Sequence, residues 1–272
     1  MRVRVAHTSL QFSDSDKQHT HDIEKIFDRA VARKQAWITG TESGPGAGNT
    51  GRELIRVARE HGYKPWVPEH QAKGLARHTD CWIAVRKDLI AGEWERGYRH
   101  VFPGSGQLDD HENPQNKRWG PKGLVHVSFE STNVDLGRVS IGAAHYLTGA
   151  QRPGSPYWDW NKKLAREIGD WAREEGKGSA LVFYGGDQNM ADNLNNQPQG
   201  DTFFGEPMTS TWDELKKWEN TGHGNIDVIA SYNRDGRVKA LRTNALNDKE
   251  FFLHTDHFYV EAEFSIDPIK KR

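Results

Sequence analysis

The order of strand-like and helix-like segments limits the fold of this chain more than any other feature. The first half opens with a strand, an amphipathic helix and a second strand, at 3–12, 20–34 and 36–42. The second half repeats this arrangement, with strands at 123–129, 137–144 and 179–185 and a helix at about 158–175. Because helices fall at matching places in the two halves, we expect an α/β fold in which two sheets pack face to face with helices outside.

Further patterns complete the expected element order. The segment "TGRELIRVAREHG" predicts a helix that ends at Gly62, and "CWIAVRKDLI" predicts a strand after it. A capping pattern in "TSTWDELKKW" predicts a short helix, and "IDVIASYNRDGRVKALRTNAL" predicts two strands joined around Asp235-Gly236. The last strand is "FYVEAEF". We expect irregular surface at 91–122, where Gly, Pro, Asn and charged residues are frequent, and a loop at 190–208.

The bulk properties indicate a soluble globular chain. With 272 residues, 35% hydrophobic and 28% charged, we expect a single domain over 1–272. No apolar stretch approaches the roughly 18–20 residues that span a bilayer, and the start "MRVRVAHTSL" lacks the apolar segment of a secretory signal. We therefore expect a cytoplasmic monomer without a membrane partner. The single cysteine, Cys81, excludes an intramolecular disulfide and a cysteine-based zinc site.

The formal net charge of −1 gives no overall electrostatic argument for nucleic acid as a partner. Proteins that bind nucleic acid usually carry a basic excess or a basic face, so any contact with DNA has to come from local patches. The two candidate patches, "VRKDL" (85–89) and "NKRWGPKG" (116–123), are more typical of solvated loops than of a phosphate groove.

Polar side chains stand at the ends of several apolar strands. Asp187 and Asn189 follow "LVFYGG", where the double glycine predicts that a buried strand closes in a tight turn. The other positions are Glu42 after "AWITGT", His145 after "VSIGAA", Asp227 at the entrance of "VIASY" and the pair Asp256-His257 before "FYVEAEF". A single acid at a strand end is ordinarily a turn or capping residue. The whole set, taken in order, indicates a site.

These residue types suit the hydrolysis of phosphate esters. A phosphate ester repels hydroxide, so catalysis needs a hard cation, a group that activates water and a donor for the developing oxyanion. Mg²⁺ takes one or two carboxylates together with waters and substrate phosphate. Glu42 is therefore the expected direct metal ligand, with Asp256 nearby.

The remaining polar residues supply the expected base and cationic groups. Asp187 is the candidate that orients or deprotonates the attacking water, and Asn189 would donate to a phosphate oxygen or hold that water. His257, if hydrogen-bonded to Asp227, would be held in one tautomer with a raised pKa and would stabilise charge on phosphate. His145 would do the same from the other side.

The order of these motifs resembles the endonuclease/exonuclease/phosphatase superfamily. The matching stretches are "TGTE", "GAAHYLTG", "GGDQN", "NIDVIASY" and "TDHFYV", and together they span nearly the whole chain. The resemblance implies a deoxyribonuclease I-like fold, a four-layer α/β (α+β) sandwich of two packed mixed β-sheets flanked by helices. It also implies that Mg²⁺ or Mn²⁺ assists the cleavage of phosphodiesters or phosphomonoesters.

The chain departs from the family pattern in its first strand. The family usually has Asn there, whereas "VAHTSLQF" places Ser9 or its neighbour Thr8 at that position. A hydroxyl can bind a metal-bound water or substrate, yet it lacks the paired donor and acceptor of an amide. Asp80, just before "CWIAV", is the candidate acid for His145. Arg86 in the same strand is either a substrate-phosphate ligand or a surface arginine.

Three other chemistries are poorly supported. His19 and His21 in "HTHD" are two apart, which puts them on different faces of a helix, and neither they nor "EFFLHTDH" come with an HExxH or Cys set for zinc. A GxSxG nucleophile elbow is absent from the sequence. The loop "GPGAGNTG" lacks the Lys-Ser/Thr ending of a nucleotide-binding loop.

Three hypotheses for function follow. The main one is a Mg²⁺-dependent nuclease that hydrolyses DNA, based on Asp187, Asn189, Asp256 and His257. The second keeps the fold and changes the substrate to a phospholipid headgroup, an inositol phosphate or a nucleotide. The third is a binding member that has lost turnover, prompted by the missing first-strand Asn.

Overall fold

The computed structural model describes residues 1–10, 16–43, 50–71, 80–104, 120–148, 154, 157–178, 180–189, 208–216, 221, 226–247 and 254–268. The strands are β1 (Arg2–Ser9), β2 (Trp37–Thr41), β3 (Tyr63–Trp66), β4 (Trp82–Arg86), β5 (Ile90–Phe102), β6 (Lys122–Ser131), β7 (Arg138–His145), β8 (Leu181–Asp187), β9 (Met208–Ser210), β10 (Asp227–Tyr232), β11 (Val238–Leu246) and β12 (Tyr259–Ile266). The helices are α1 (Asp16–Arg33), α2 (Thr50–Glu60), α3 (Pro68–Gln71), α4 (Trp158–Lys177) and α5 (Thr211–Leu215), with a 3-10 turn at Lys87–Leu89.

Two mixed sheets of six strands form the centre of the molecule. The first sheet has the order β11-β12-β1-β2-β4-β3, and the second has the order β5-β6-β7-β8-β10-β9. Among the described strands, β1 pairs in parallel with β2 and β7 pairs in parallel with β8, whereas the other neighbours are antiparallel. Parallel neighbours need a crossover connection, which α1 and α4 supply. The matching positions of helices in the two halves therefore reflect matching crossovers.

Apolar side chains fill the space between the sheets and the space under the helices. Between the sheets, Trp37 contacts Phe183 with ring centroids 4.7 Å apart, and Phe183 contacts Phe264 at 5.2 Å. The inward stripe of α1 is fully buried on the outer face of the first sheet, through Ile23, Ile26, Phe27 and Ala30. On the second sheet, α4 buries Leu164, Ile168 and Trp171. The predicted four-layer α/β sandwich is confirmed.

The structure corrects parts of the predicted element order. Residues 91–102 of the expected irregular segment 91–122 belong to strand β5, which pairs with β6 although most of its side chains are exposed or half-buried. The short strands β3 and β9 have no counterpart in the sequence prediction. The strands on either side of Asp235-Gly236 belong to different sheets, so this turn crosses between the layers. Residues 105–119 lie outside the described residues, as does the loop predicted at 190–208 except for Met208, which begins β9.

No helix within the described ranges combines the length and the apolar character needed to cross a bilayer.

Candidate active site

Strand ends from both sheets meet at one edge of the sandwich. In the second sheet, the parallel register places His145 beside Asp187, and the antiparallel register places Asp227 beside Asp187. In the first sheet, β1 and β2 end side by side at Ser9 and Thr41. Parallel strands end at the same edge, and an antiparallel neighbour begins there. Residues that are far apart in the sequence therefore converge.

Gly185, the first residue of the double glycine before Asp187, makes room for side chains of the first sheet. Strand β8 continues through Gly185 and Gly186 to Asp187, so the tight turn expected there is wrong. A Cβ atom at Gly185 would lie 2.0 Å from Thr39 Oγ1 and 3.2 Å from His7 Nδ1. Only glycine leaves space for this close approach of the two sheets.

His257, Asp227 and His7 form a chain of side chains that joins the two sheets. His257 Nδ1 lies 2.7 Å from Asp227 Oδ2, and His7 Nε2 lies 3.4 Å from Asp227 Oδ1. Burial works against charge on His257, but the Asp227 carboxylate raises the pKa of His257 to about 10. Despite its burial, Asp227 has a pKa well below its usual range because of His257 and His7. His257 is therefore a cation at neutral pH, and its Nδ1–H donates to Asp227.

A second histidine–aspartate pair also joins the sheets, with a lysine added. His145 Nδ1 lies 2.7 Å and Lys122 Nζ 2.8 Å from the same oxygen, Asp80 Oδ2. The two nitrogens are 3.0 Å apart because both donate to that one carboxylate. Burial opposes ionisation, but His145 and Lys122 hold the pKa of Asp80 well below its usual range, and Asp80 raises the pKa of both partners.

Asp187 is buried between the two histidines and is held by Asn189. Its Oδ1 accepts the Asn189 backbone N–H at 2.8 Å, and its Oδ2 accepts from Asn189 Nδ2 at 3.2 Å. Asp187 Oδ2 lies 3.4 Å from His145 Nε2 and 3.9 Å from His257 Nε2. Burial raises the pKa of Asp187, although His257 and His145 oppose this shift. A carboxylate with a raised pKa is a better proton acceptor.

Glu42 and Asp256 lie on the solvent side of this cluster. The Glu42 side chain is 21% exposed, and its Oε1 is 3.9 Å from His145 Nε2. Glu42 has a φ of 60°, a left-handed backbone that is costly for a residue with a side chain and that occurs more often at functional sites. Asp256 is 47% exposed, with Oδ1 3.9 Å from His257 Nε2.

The two residues predicted to bind substrate, Ser9 and Arg86, lie at different places in the first sheet. Ser9 lies at the end of β1 beside Thr41, fully buried, with no hydrogen-bond partner for its Oγ among the described residues. Arg86 lies at the opposite end of β4 from Asp80, pairs with Tyr63 in the sheet and binds Asp88 through Nε at 2.9 Å. The structure therefore does not bring Arg86 to the cluster, because β4 runs away from this edge.

Two residues of the cluster were missed from the sequence. His7 is on the same face of β1 as Ser9 because side chains two apart in a strand point the same way, and this spacing was the available signal. Lys122 belongs to a stretch predicted to be a solvated loop, whereas it begins β6 and is buried. Its pairing with Asp80 bridges 42 positions and leaves no local signal.

The side chains of the cluster suit a hard divalent cation. Glu42, His145 and Asp187 each offer one ligand atom within 4.8 Å of the other two. In the described part of the site, five carboxylates surround the nitrogen-bearing side chains of His145, His257 and Lys122, namely Asp80, Asp187, Asp227, Glu42 and Asp256. The excess of carboxylates and the oxygen donors on the solvent side could hold a divalent cation.

Comparisons with known proteins give matches at the level of structure only. No protein-family model and no curated protein matches this chain. An endonuclease/exonuclease/phosphatase family protein from Bacteroides thetaiotaomicron superposes with a TM-score of 0.66 at 14% identity, over 98% of each chain. The mannosyl-6-phosphatase Bt3783 from the same organism gives 0.65 at 15% identity, over 97% of this chain and 100% of that one.

A third match is to a structure that contains a nucleic acid. D. rerio TDP2 in complex with a single-strand DNA product gives a TM-score of 0.56 at 12% identity, over 97% of this chain and 99% of that one. All three similarities extend over nearly the full length of both chains. The protein therefore has the fold of the endonuclease/exonuclease/phosphatase superfamily.

Proposed function

We propose that this protein is a Mg²⁺- or Mn²⁺-dependent phosphodiesterase and that its substrate is DNA. The observation that carries the proposal is the position of Asp187 between His145 and His257. A buried carboxylate with a raised pKa can accept a proton, and the two histidines beside it, whose pKa values are raised by their own aspartate partners, can stabilise negative charge.

The proposal assigns a role to five residues of the cluster: Glu42, Asp256, Asp187, Asn189 and His257. Glu42 and Asp256 would hold the divalent ion, which when bound neutralises the phosphate and polarises its oxygen. Asp187 takes the proton of the attacking water, and Asn189 keeps the Asp187 carboxylate in position. His257 directs its Nε2–H towards phosphate oxygens because its Nδ1–H is bound to Asp227.

The choice of DNA is supported by the similarity to D. rerio TDP2 with its single-strand DNA product. A second candidate is a phosphomonoesterase, which the similarity to a mannosyl-6-phosphatase and the net charge of −1 favour. Phospholipid headgroups, inositol phosphates and nucleotides are the other small phosphoester substrates that this second candidate includes. A binding member without turnover would keep the metal ligands and hydrolyse none of these compounds.

The test is a substrate panel with the purified chain, in excess Mg²⁺ and in EDTA. The panel contains single-stranded and duplex DNA, RNA, a sugar phosphate, an inositol phosphate and a nucleotide. We expect cleavage of DNA that needs the metal and is lost in Asp187→Asn, while Asp159→Asn on exposed α4 keeps activity. Activity on the small phosphoesters alone would establish the second candidate. Metal-independent cleavage of DNA, or cleavage by Asp187→Asn at the wild-type rate, would overturn the mechanism.

A further inference from the structure

A second group of metal-ligating side chains lies outside the active-site cluster. His21 and Asp22 are neighbours on α1, and His254 lies 232 positions from Asp22 in the segment that leads to β12. One ligand atom from each of the three lies within 4.8 Å of the other two. The rings of His21 and His254 meet edge to face with centroids 5.2 Å apart. The fold therefore brings together two stretches of sequence, neither of which carries a recognisable zinc-binding motif by itself.

Asp22 fixes the geometry of this group. Its Oδ2 accepts the His254 backbone N–H at 2.7 Å, and its Oδ1 lies 2.8 Å from His254 Nδ1. The Asp22 side chain is 1% exposed, while the His254 side chain is 41% exposed. A buried carboxylate thus anchors an imidazole that remains open to solvent, beside a second imidazole from the same helix.

We propose that His21, Asp22 and His254 form a second metal site, which prefers Zn²⁺ or a similar transition-metal ion to Mg²⁺. Two imidazoles and one carboxylate are ligands that zinc accepts with a fourth position left for water, whereas Mg²⁺ prefers oxygen ligands. Ligand atoms around tetrahedral zinc are about 3.3 Å apart, given Zn–N and Zn–O distances near 2 Å. Small rotations of the half-buried His21 and the exposed His254 close the remaining gap, and the ion then replaces the proton shared by His254 Nδ1 and Asp22 Oδ1.

The position of this site gives it a structural consequence. His254 stands two residues before Asp256 and three before His257, in the segment that carries both into the active site. An ion bound between α1 and this segment would fasten the segment to the helix. The ion binds the folded chain and not the unfolded one, so zinc should raise the melting temperature. This inference does not depend on which phosphoester the active site cleaves.

The test is a calorimetric titration of the full chain with Zn²⁺ in excess Mg²⁺, together with melting curves. We expect one zinc equivalent that persists in the double variant E42Q/D187N. His21→Ala and His254→Ala should each weaken that equivalent about tenfold or more and abolish the rise in melting temperature. His61→Ala is the matched control, because His61 Nε2 faces a single carboxylate, Asp28, at 3.2 Å.

The His21→Ala variant keeps the proposal falsifiable if His254→Ala fails to fold. It removes one imidazole and leaves both hydrogen bonds between Asp22 and His254 in place. Zinc binding by His21→Ala with wild-type stoichiometry and affinity would overturn the proposal. A zinc equivalent that disappears only in E42Q/D187N would also overturn it, because the ion would then occupy the active-site cluster.

Discussion

His7 Nε2 lies 3.4 Å from Asp227 Oδ1 at a point where both side chains are fully buried. The other oxygen of Asp227 lies 2.7 Å from His257 Nδ1, so His7 acts on the active site through Asp227. His7 is thus a positioning residue; it lies two positions before Ser9 on the same strand, and the family resemblance did not point to it.

Removal of the His7 imidazole should lower turnover and shift its pH dependence. We expect His7→Ala to reduce kcat by about tenfold to a hundredfold with little change in KM, because a loosened Asp227 no longer holds His257. The pKa of His257, raised to about 10 by Asp227, should fall, and the alkaline limb of the pH–rate profile should move to lower pH. His7→Asn, which can donate from its amide, should keep the limb near its wild-type position. An unchanged alkaline limb in His7→Ala would contradict this role.

The charge on His257 predicts a pH dependence of folding. Its pKa rises from about 6.5 to about 10 on folding, so the native state binds an extra proton between these values. The stabilisation is complete below pH 6.5 and is lost as the pH rises through 10, with a slope of up to about 1.4 kcal/mol per pH unit. Urea denaturation of the metal-free chain should show the free energies of unfolding of wild type and His257→Gln converging with rising pH. Two plots of unfolding free energy against pH that stay parallel would contradict this prediction. His100→Gln, at an exposed position of β5, serves as the control.

Loss of the Asp80 carboxylate should be costly because it leaves two cations together. In Asp80→Asn, Lys122 and His145 remain buried 3.0 Å apart without their shared acceptor. We expect a destabilisation of about 3–5 kcal/mol, and a smaller loss in the double variant D80N/K122M. The exposed pair Arg138–Glu95 gives the control, since Glu95→Gln should cost about 0–1 kcal/mol. Equal losses in the single and double variants would show that the charges do not interact.

The close approach at Gly185 can be tested by adding one methyl group. Gly185→Ala places a Cβ atom 2.0 Å from Thr39 Oγ1, and we expect it to cost about 1–3 kcal/mol in thermal or urea unfolding. In a Thr39→Ala background the cost should be smaller, because the hydroxyl is gone. Gly178→Ala is the control, since its Cβ would meet only Glu175 O at 3.4 Å. Equal costs at the two glycines would contradict the steric argument.

Most of the element order and most residues of the cluster could be predicted from the sequence, because an apolar run that stops at a polar residue indicates where a strand ends. Glu42, His145, Asp187, Asp227 and His257 were each visible as a polar residue that bounds an apolar run. Strand register and strand direction depend on pairing between distant parts of the chain, so no local sequence pattern predicts them. The contact of His7 with Asp227 and the distance of Arg86 from the cluster depend on register and direction, so only the structure could establish them.

Other differences have the same origin. The edge strand β5 has few buried side chains, so it shows no apolar run and reads as irregular surface. Gly185 has its cause in a side chain of the other sheet, Thr39, and Gly186 has its cause in Tyr184 and Ala144 of its own sheet. Lys122 is buried only because the Asp80 carboxylate, which precedes a distant strand of the other sheet, neutralises it.

Each histidine–aspartate pair takes one member from each sheet, as His257 with Asp227 and Asp80 with His145. Neither half of the sandwich can therefore assemble a working pair by itself. Under the proposed function, the rate of hydrolysis would therefore depend on how well the two sheets pack against each other. Under the proposed function, a cut between β4 and β5 would leave Asp80 and His145 on different fragments, and activity would return only as the two fragments reassociate.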